Sequence, residues 1–337
     1  MDLNTLWFVL ISVLFVGYFF LEGFDYGVGI LMPFLGKDDV GRRLAINTIG
    51  PHWDGNEVWL LVAGGATFAA FPNWYATMFS GFYLALLMML LGLIVRAVAL
   101  EYRSKDQNPR WRALWDRLIF VGSLLPALLW GVVFADLVRG VPIDASMHYT
   151  GGFWNLLNPY ALLGGLVTLS AFVLHGALFL SLKTEGALLD RARGAATRLW
   201  WPAVVLAVAF LVATYFATDL FGQHGALPWL LSALAAVALL AVGWFLRVRR
   251  EGWAFALMGV TIALLVADLM AGLYPRVMVS SLNPDWSLTI YNASSSHYTL
   301  KVLSIVAAIM VPVVLAYQIW SYWVFRKRLG REDVLEY

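Results

Sequence analysis

Three carboxylates stand where the hydrophobicity of the chain predicts its first two helices. Asp25 lies in the stretch GFDYGVG, at 23–29, and Asp54 and Glu57 lie in PHWDGNEVW, at 51–59. An ionised carboxylate is costly inside a bilayer, and acids found there usually belong to ion or proton pathways. Because a carboxyl group can take up and release a proton, these three side chains are candidates for proton transfer.

Other charged side chains also fall in or beside apolar segments. Arg96, at the inner end of the third predicted helix, reaches the depth of the three acids and is a candidate ion-pair partner for one of them. Arg276, two turns away, is a candidate partner for Asp268. Asp136 and Asp219 lie close to the predicted outer interface, where water can solvate them. We expect structural roles for these aspartates.

The histidines and the absence of cysteine bear on redox chemistry. The chain has no cysteine, which excludes disulfides, iron–sulfur clusters and zinc sites with Cys ligands. His175 is the only histidine well inside a predicted span, and it is either a haem ligand or, more commonly, a hydrogen-bonded core residue. The remaining histidines lie near interfaces or in loops: His52, His148, His224 and His297. Their spacing predicts neither a metal site nor a redox centre within this chain.

The composition is that of a protein with many membrane spans. Of 337 residues, 61% are hydrophobic and only 13% are charged, whereas soluble domains average about 25% charged residues. A spanning helix needs about 20 mostly apolar residues. Nine such segments are predicted, at 6–31, 53–71, 74–99, 118–139, 160–182, 199–219, 227–246, 254–274 and 299–325. We therefore expect a single all-α, multi-pass membrane domain over 1–337, and no nucleic-acid partner.

The distribution of basic residues orients these spans. Nineteen of the 23 lysines and arginines fall in alternate segments, at 32–52, 100–117, 183–198, 247–253 and 326–337. Cytoplasmic loops carry an excess of Lys and Arg. The N-terminus is therefore predicted outside and the C-terminus in the cytoplasm.

This topology sets the depth of the acids. Asp25 lies nineteen residues after Leu6, roughly 28 Å along the helix at 1.5 Å per residue, and so near its cytoplasmic end. Glu22 and Tyr26 share its face. Asp54 and Glu57 follow in the first two turns of the next helix, so all three acids should lie in the cytoplasmic third of the membrane.

A structural role remains an alternative for Asp54. An acid in the first turn of a helix interacts favourably with the helix dipole. That explanation does not extend to Asp25, which is predicted near a helix C-terminus, where negative charge is unfavourable. For Asp25, the functional interpretation is therefore the stronger one.

Four long stretches resemble subunit II of the cytochrome bd quinol oxidases. They are GFDYGVGILMPFLG, RRLAINTIGPHWDGNEVWLLVAGGATFAAFP, FSGFYLALLMMLLGLIVRAVALEYRSK and SSLNPDWSLTIYNASSSHYTLKVLSIVAAIMVPVVLAYQIW. The resemblance covers essentially the whole chain, and the block WDGNEVW is its most specific part. The middle, about 183–250, is generic and short, so the chain looks like a compact version of the subunit, as in the cyanide-insensitive type.

The resemblance implies a fold, partners and a reaction. The fold would be two four-helix bundles, at about 1–140 and 155–275, with a peripheral ninth helix at about 299–325. The partners would be a homologous subunit I, which ligates two haems b and one haem d, and a small single-helix accessory subunit. The complex would oxidise quinol and reduce dioxygen to water, with protons taken from the cytoplasm, in the bacterial cytoplasmic membrane. This electrogenic reaction needs no proton pump, and a quinone can also be bound within subunit II as a structural element.

The resemblance also implies roles for individual residues. Asp25 and Asp54 match acids that line a proton route toward the haems, whereas Glu57 stands at a position where glutamine is also acceptable. Trp59 matches a tryptophan beside an apolar dioxygen path, with simple helix packing as the alternative. A proton-coupled secondary transporter and a purely structural partner are the competing functions. Transporters tend to place their acids near the midplane, whereas these acids cluster toward one side.

Overall fold

The computed structural model describes residues 2–223, 225–333 and 335, so His224 lies outside the described residues. The described part of the chain forms thirteen α-helices and one two-stranded antiparallel sheet. The helices are α1 Leu3–Leu35, α2 Asp39–Ile49, α3 Trp53–Ala70, α4 Pro72–Gly81, α5 Tyr83–Tyr102, α6 Pro109–Arg139, α7 Phe153–Leu156, α8 Pro159–Lys183, α9 Gly186–Ala217, α10 Leu220–Gln223, α11 Leu227–Arg247, α12 Glu251–Leu273 and α13 His297–Val324. The strands are β1 Arg276–Met278 and β2 Leu288–Thr289.

Eight helices of the described chain are long and apolar enough to cross a membrane, which makes this a multi-pass membrane protein. They are α1, α5, α6, α8, α9, α11, α12 and α13. The expected second span, 53–71, does form a helix, α3, but this helix is not among the eight. It has only 18 residues, and Asp54, Asn56 and Glu57 in its first turns lower its hydropathy. Nine spans therefore remain a prediction.

Several helix limits differ from the predicted ones. The expected span at 74–99 is two helices, α4 and α5, which meet at Phe82. Helices α1, α6 and α9 extend beyond their apolar stretches. Polar caps account for two of these extensions, since the side chains of Asp2 and Asn108 accept hydrogen bonds from the first turns of α1 and α6. Helix α2 was not predicted, and it begins after a similar cap, Asp38.

Helix α1 is the central element of the fold. It packs against α3, α6, α8 and α12, while α8, α9, α11 and α12 pack on one another. Helices α1 and α8 approach each other closely at Gly27 and Gly176. A Cβ atom on Gly27 would clash with the backbone of α8, 2.8 Å from Gly176 Cα. Small residues let membrane helices approach this closely.

Helix α13 lies on the outside of the chain. It contacts α1 and α3, and of its 28 residues, all of them described, only Leu300 is buried. The chain after α13 returns to the beginning of α2 and the end of α8. Leu329 bonds the backbone of Lys183, and the side chain of Arg331 pairs with Asp38 at 2.5 Å.

The expectations for Asp268 and Asp136 are wrong. Asp268 does not pair with Arg276, because Arg276 begins strand β1 beyond the end of α12, where it forms a bidentate pair with Asp219, both distances 2.8 Å. Asp268 instead points into the helix packing and accepts a hydrogen bond of 2.5 Å from Ser232. Asp136 is fully buried rather than solvated, and its carboxylate accepts a hydrogen bond of 2.7 Å from Asn158.

His175 is a core residue. Its Nε2 atom lies 3.1 Å from the carbonyl oxygen of Phe20, and its ring stacks on Phe255 with the centroids 4.5 Å apart. These contacts occupy one nitrogen and one face of the ring, so the geometry matches the hydrogen-bonded interpretation.

Candidate functional site

A buried ion pair lies at the centre of the candidate site. Glu22 of α1 contacts Arg96 of α5, and both side chains are inaccessible to solvent. The guanidinium of Arg96 also lies over the ring of Tyr26, 4.8 Å from its centroid. The sequence predicts that Arg96 forms an ion pair with Asp25, Asp54 or Glu57. In the structure its ion-pair partner is Glu22. The reason is the rotation of α1, which turns Glu22 and Tyr26, one helical turn apart, toward Arg96.

Asp25 is also fully buried, on the side of α1 that meets α3. Its Oδ2 atom accepts a hydrogen bond of 2.7 Å from Asn56 Nδ2. Its Oδ1 atom has no hydrogen-bond partner among the described residues. Helix α1 continues ten residues beyond Asp25, to Leu35, so Asp25 lies inside the helix and not near its C-terminus as expected. The unfavourable end of the helix dipole therefore does not act on Asp25.

Asn56 connects Asp25 to the last helix. While its Nδ2 atom faces Asp25, its Oδ1 atom accepts hydrogen bonds from Gln318 Nε2 at 3.0 Å and from the Tyr322 hydroxyl at 2.9 Å. Sequence reasoning did not select Glu22, Asn56, Gln318 or Tyr322 as functional residues. A detectable signal was the spacing of Gln318 and Tyr322, which places two polar groups on one face of an apolar helix.

His52 borders the cluster from the turn that precedes α3. Its ring stacks on Tyr322, with the centroids 4.1 Å apart and the planes inclined by 2°. Burial of the imidazole lowers the pKa of His52 to about 4, and the positive charge of Lys183 acts in the same direction. His52 is therefore neutral at pH 7, next to the residue that bonds Asn56.

The remaining predicted residues lie at the margin of the cluster or outside it. Glu57 is partly buried, and its Oε2 atom has no hydrogen-bond partner among the described residues. Asp54 is exposed on the opposite side of α3 and does not join the cluster. The ring of Trp59 covers Gly17 of α1 so closely that a Cβ atom there would clash with it. This contact gives Trp59 a packing role, whereas its place beside an oxygen path stays a prediction.

The cluster has the composition of a proton-exchanging site. The single positive charge of Arg96 interacts with Glu22, Asp25 and Glu57. Ionising all three carboxyls would leave an excess of negative charge where little water can solvate it. Three carboxyls around one permanent cation can therefore hold and release protons, and this is the chemistry that the arrangement supports.

A separate apolar cavity lies among α6, α8, α9, α11 and α12. Its volume is about 170 Å³, and Phe172, Phe210, Leu239 and Ile262 form much of its wall. Asp268 and Ser232 are polar residues of its lining, and their side chains bond to each other. The cavity therefore suits an apolar occupant.

Comparison with known proteins identifies the family. The family model described as cytochrome bd terminal oxidase subunit II matches residues 3–325. The chain belongs to this family. The resemblance carried by the motifs is thereby confirmed, and the protein is a subunit of a cytochrome bd-type quinol oxidase complex.

Individual bd oxidase subunits match along nearly their whole length. The chain is 46% identical over 337 residues to the cytochrome bd ubiquinol oxidase subunit 2 of Bacillus subtilis, covering 100% of this chain and 99% of the relative. It is 38% identical to the cytochrome bd-I ubiquinol oxidase subunit 2 of Escherichia coli K12, covering 98% and 96%. The solved bd oxidase of Geobacillus thermodenitrificans contains a chain with the same fold, with a TM-score of 0.78, 18% identity and coverage of 96% and 97%.

Proposed function

We propose that this subunit supplies a proton route for a complex that oxidises quinol and reduces dioxygen to water. The observation that carries the proposal is the buried cluster of Glu22, Asp25 and Arg96, which joins α1 to α5 and, through Asn56, to α3 and α13. Protons would enter from the cytoplasmic side, where His52 and the positively charged segments lie. The proton-coupled transporter is not retained, because the chain belongs to an oxidase family.

The haems belong, in this proposal, to a homologous subunit I. The Nε2 atom of His175 and one face of its ring are engaged within the core, which favours a structural role for this histidine. The two haems b and the haem d of subunit I would supply electron transfer and dioxygen reduction. The contribution of this chain is to scaffold that subunit and to move protons at its own carboxyls.

We place the contact with subunit I on the exposed face of α3. Asp54, Val58, Leu61 and Phe68 are exposed there, and Gly65 has open space beside it. A carboxylate on a largely apolar membrane face is costly unless it meets a partner or water. Docking of subunit I would put Asp54 at the interface, on the way to the haems. A small single-helix accessory subunit would complete the assembly.

The proposal includes the arrangement in the bacterial cytoplasmic membrane. Nine spans, with α3 as the second, place the N-terminus outside and the C-terminus in the cytoplasm. Helices α1, α3, α5 and α6 would form one four-helix bundle, and α8, α9, α11 and α12 the other. Helix α13 would be peripheral, in keeping with its exposure.

The proposal assigns a bound quinone and dioxygen to two different parts of the chain. The cavity among α6, α8, α9, α11 and α12 fits the isoprenoid part of a structurally bound quinone, because its walls are apolar. The Ser232 hydroxyl is already bonded to Asp268, which leaves it unsuited to the quinone carbonyls. A dioxygen path would pass Trp59, at the contact between α3 and α1.

Purification and one substitution test the proposal. A haem-bearing partner should co-purify with the chain in mild detergent, and its visible spectrum should show haems b and d. Asp25→Asn should slow quinol-driven oxygen consumption at least tenfold and leave that spectrum intact. Asp136→Asn is the matched control, because it makes the same change in a buried carboxyl that belongs neither to the cluster nor to the lining of the cavity. Wild-type turnover in Asp25→Asn, or purification without haem, would overturn the proposal.

A further inference from the structure

Two side chains of the outermost helix reach the interior of the site. Gln318 and Tyr322 are half-buried on α13, a helix most of whose residues are exposed. They lie one helical turn apart, and both bond the same atom, Oδ1 of Asn56. General packing of a peripheral helix does not require two donors on one acceptor.

These two contacts determine which way the amide of Asn56 faces. A carboxamide has an acceptor oxygen on one side and a donor nitrogen on the other, so fixing one side fixes both. With Oδ1 held by Gln318 and Tyr322, Nδ2 faces Asp25 Oδ2 at 2.7 Å and the carbonyl oxygen of Leu21 at 3.5 Å. Both of these oxygens accept hydrogen bonds, so the reversed amide would place oxygen against oxygen.

Tyr322 is itself held from two directions. Its ring stacks on His52, and it meets the edge of Phe24, the neighbour of Asp25, with the centroids 6.5 Å apart. A tyrosine ring packed in this way has few rotamers open to it. Its hydroxyl therefore stays within bonding distance of Asn56.

We infer that Gln318 and Tyr322 are positioning residues for proton exchange at Asp25. They orient Asn56 so that it donates to Oδ2, and Oδ1 is then the carboxylate oxygen that takes up and releases the proton. The inference rests on the proposed function, in which Asp25 carries protons. It assigns to α13 a role in the site that its position on the outside of the chain does not suggest.

The test uses the assembled oxidase and the variant Tyr322→Phe. Phenylalanine keeps the ring and its stack on His52 but removes the donor to Asn56. We expect quinol-driven oxygen consumption to fall about three- to tenfold, the effect of losing one hydrogen bond, and its pH profile to be displaced. The haem spectrum should not change. Gln318→Met, which removes the other donor at similar side-chain volume, should act in the same way.

A double-mutant cycle with Asn56→Ala separates positioning from packing. If Tyr322 acts through Asn56, then Tyr322→Phe should cause no further slowing in the Asn56→Ala background. Tyr317→Phe is the control, because Tyr317 is an exposed tyrosine of the same helix. Additive slowing, or an unchanged rate and pH profile in both Tyr322→Phe and Gln318→Met, would overturn the inference.

If Asp25→Asn alone slows turnover, the proposed function stands and only this inference fails. If Asp25→Asn does not slow it, the proposed function fails.

Discussion

Glu22 of α1 and Arg96 of α5 form an ion pair that is fully buried within the chain. The ring of Tyr26 lies beneath the guanidinium, and Asp25 and Glu57 are further carboxyls within its electrostatic reach. The pair therefore has two consequences. It joins two helices of the membrane domain, and it supplies the one permanent positive charge around which the carboxyls of the site are arranged.

Removing Arg96 should destabilise the subunit strongly. Breaking a buried pair by deleting one partner leaves an uncompensated charge and costs about 3–5 kcal/mol. Arg96→Leu should therefore lower the midpoint of thermal unfolding of the purified complex. The double variant Glu22→Gln/Arg96→Met removes both charges and should recover much of the loss. Equal midpoints for Arg96→Leu and wild type would contradict the burial of this pair.

The contact between α1 and α8 should tolerate no side chain at Gly27. Because a Cβ atom there would clash with the backbone of α8, Gly27→Ala must push the helices apart, at a cost of about 1–3 kcal/mol. Gly194→Ala is the matched control, since Gly194 lies on α9 with no atom near its missing Cβ. Thermal unfolding in detergent should show a lower midpoint for Gly27→Ala only. Comparable midpoints for the two variants would mean that α1 and α8 are further apart.

His52 should make the stability of the subunit depend on pH. Its pKa falls from an ordinary value near 6.5 to about 4 on folding. Between these two values the unfolded chain binds the proton and the folded chain does not, so stability rises with pH. The contribution is thus complete above about pH 6.5, and it is lost as the pH falls through about 4.

The variant His52→Phe isolates this contribution. Phenylalanine can keep the stack on Tyr322 but does not titrate. The difference between the unfolding midpoints at pH 7 and pH 5 should therefore be smaller in His52→Phe than in the wild type. The same substitution at His148, in the loop between α6 and α7, is the control. The same pH dependence in wild type and His52→Phe would show that His52 is solvated in the folded subunit.

The sequence predicts those parts of the site that depend on local patterns. It does not predict the parts that depend on contacts between distant segments. Hydropathy places Asp25 inside the first helix, because this signal is local to the segment. The partner of Arg96 depends instead on the rotation of α1 about its own axis, which only packing against α3, α6 and α8 fixes. The contacts of Gln318 and Tyr322 with Asn56 span more than 260 positions. No local pattern specifies them, although the polar spacing on α13 marks both residues as unusual.

At Asp54, one substitution distinguishes a functional role from a structural one, because the two roles predict different effects on turnover and on stability. In the first turn of α3, a negative charge gains at most about 1 kcal/mol from the helix dipole. Asp54→Asn should therefore change the unfolding midpoint only slightly, since the side chain is exposed and outside the cluster. If the exposed face of α3 meets subunit I and Asp54 lies on the proton route, the same variant should slow quinol-driven oxygen consumption at least tenfold. Asp190→Asn, at an exposed aspartate on α9, should do neither. A slightly lower midpoint with wild-type turnover would assign Asp54 to the helix end alone, and the proton route would then have to reach the haems through Asp25 and Glu57.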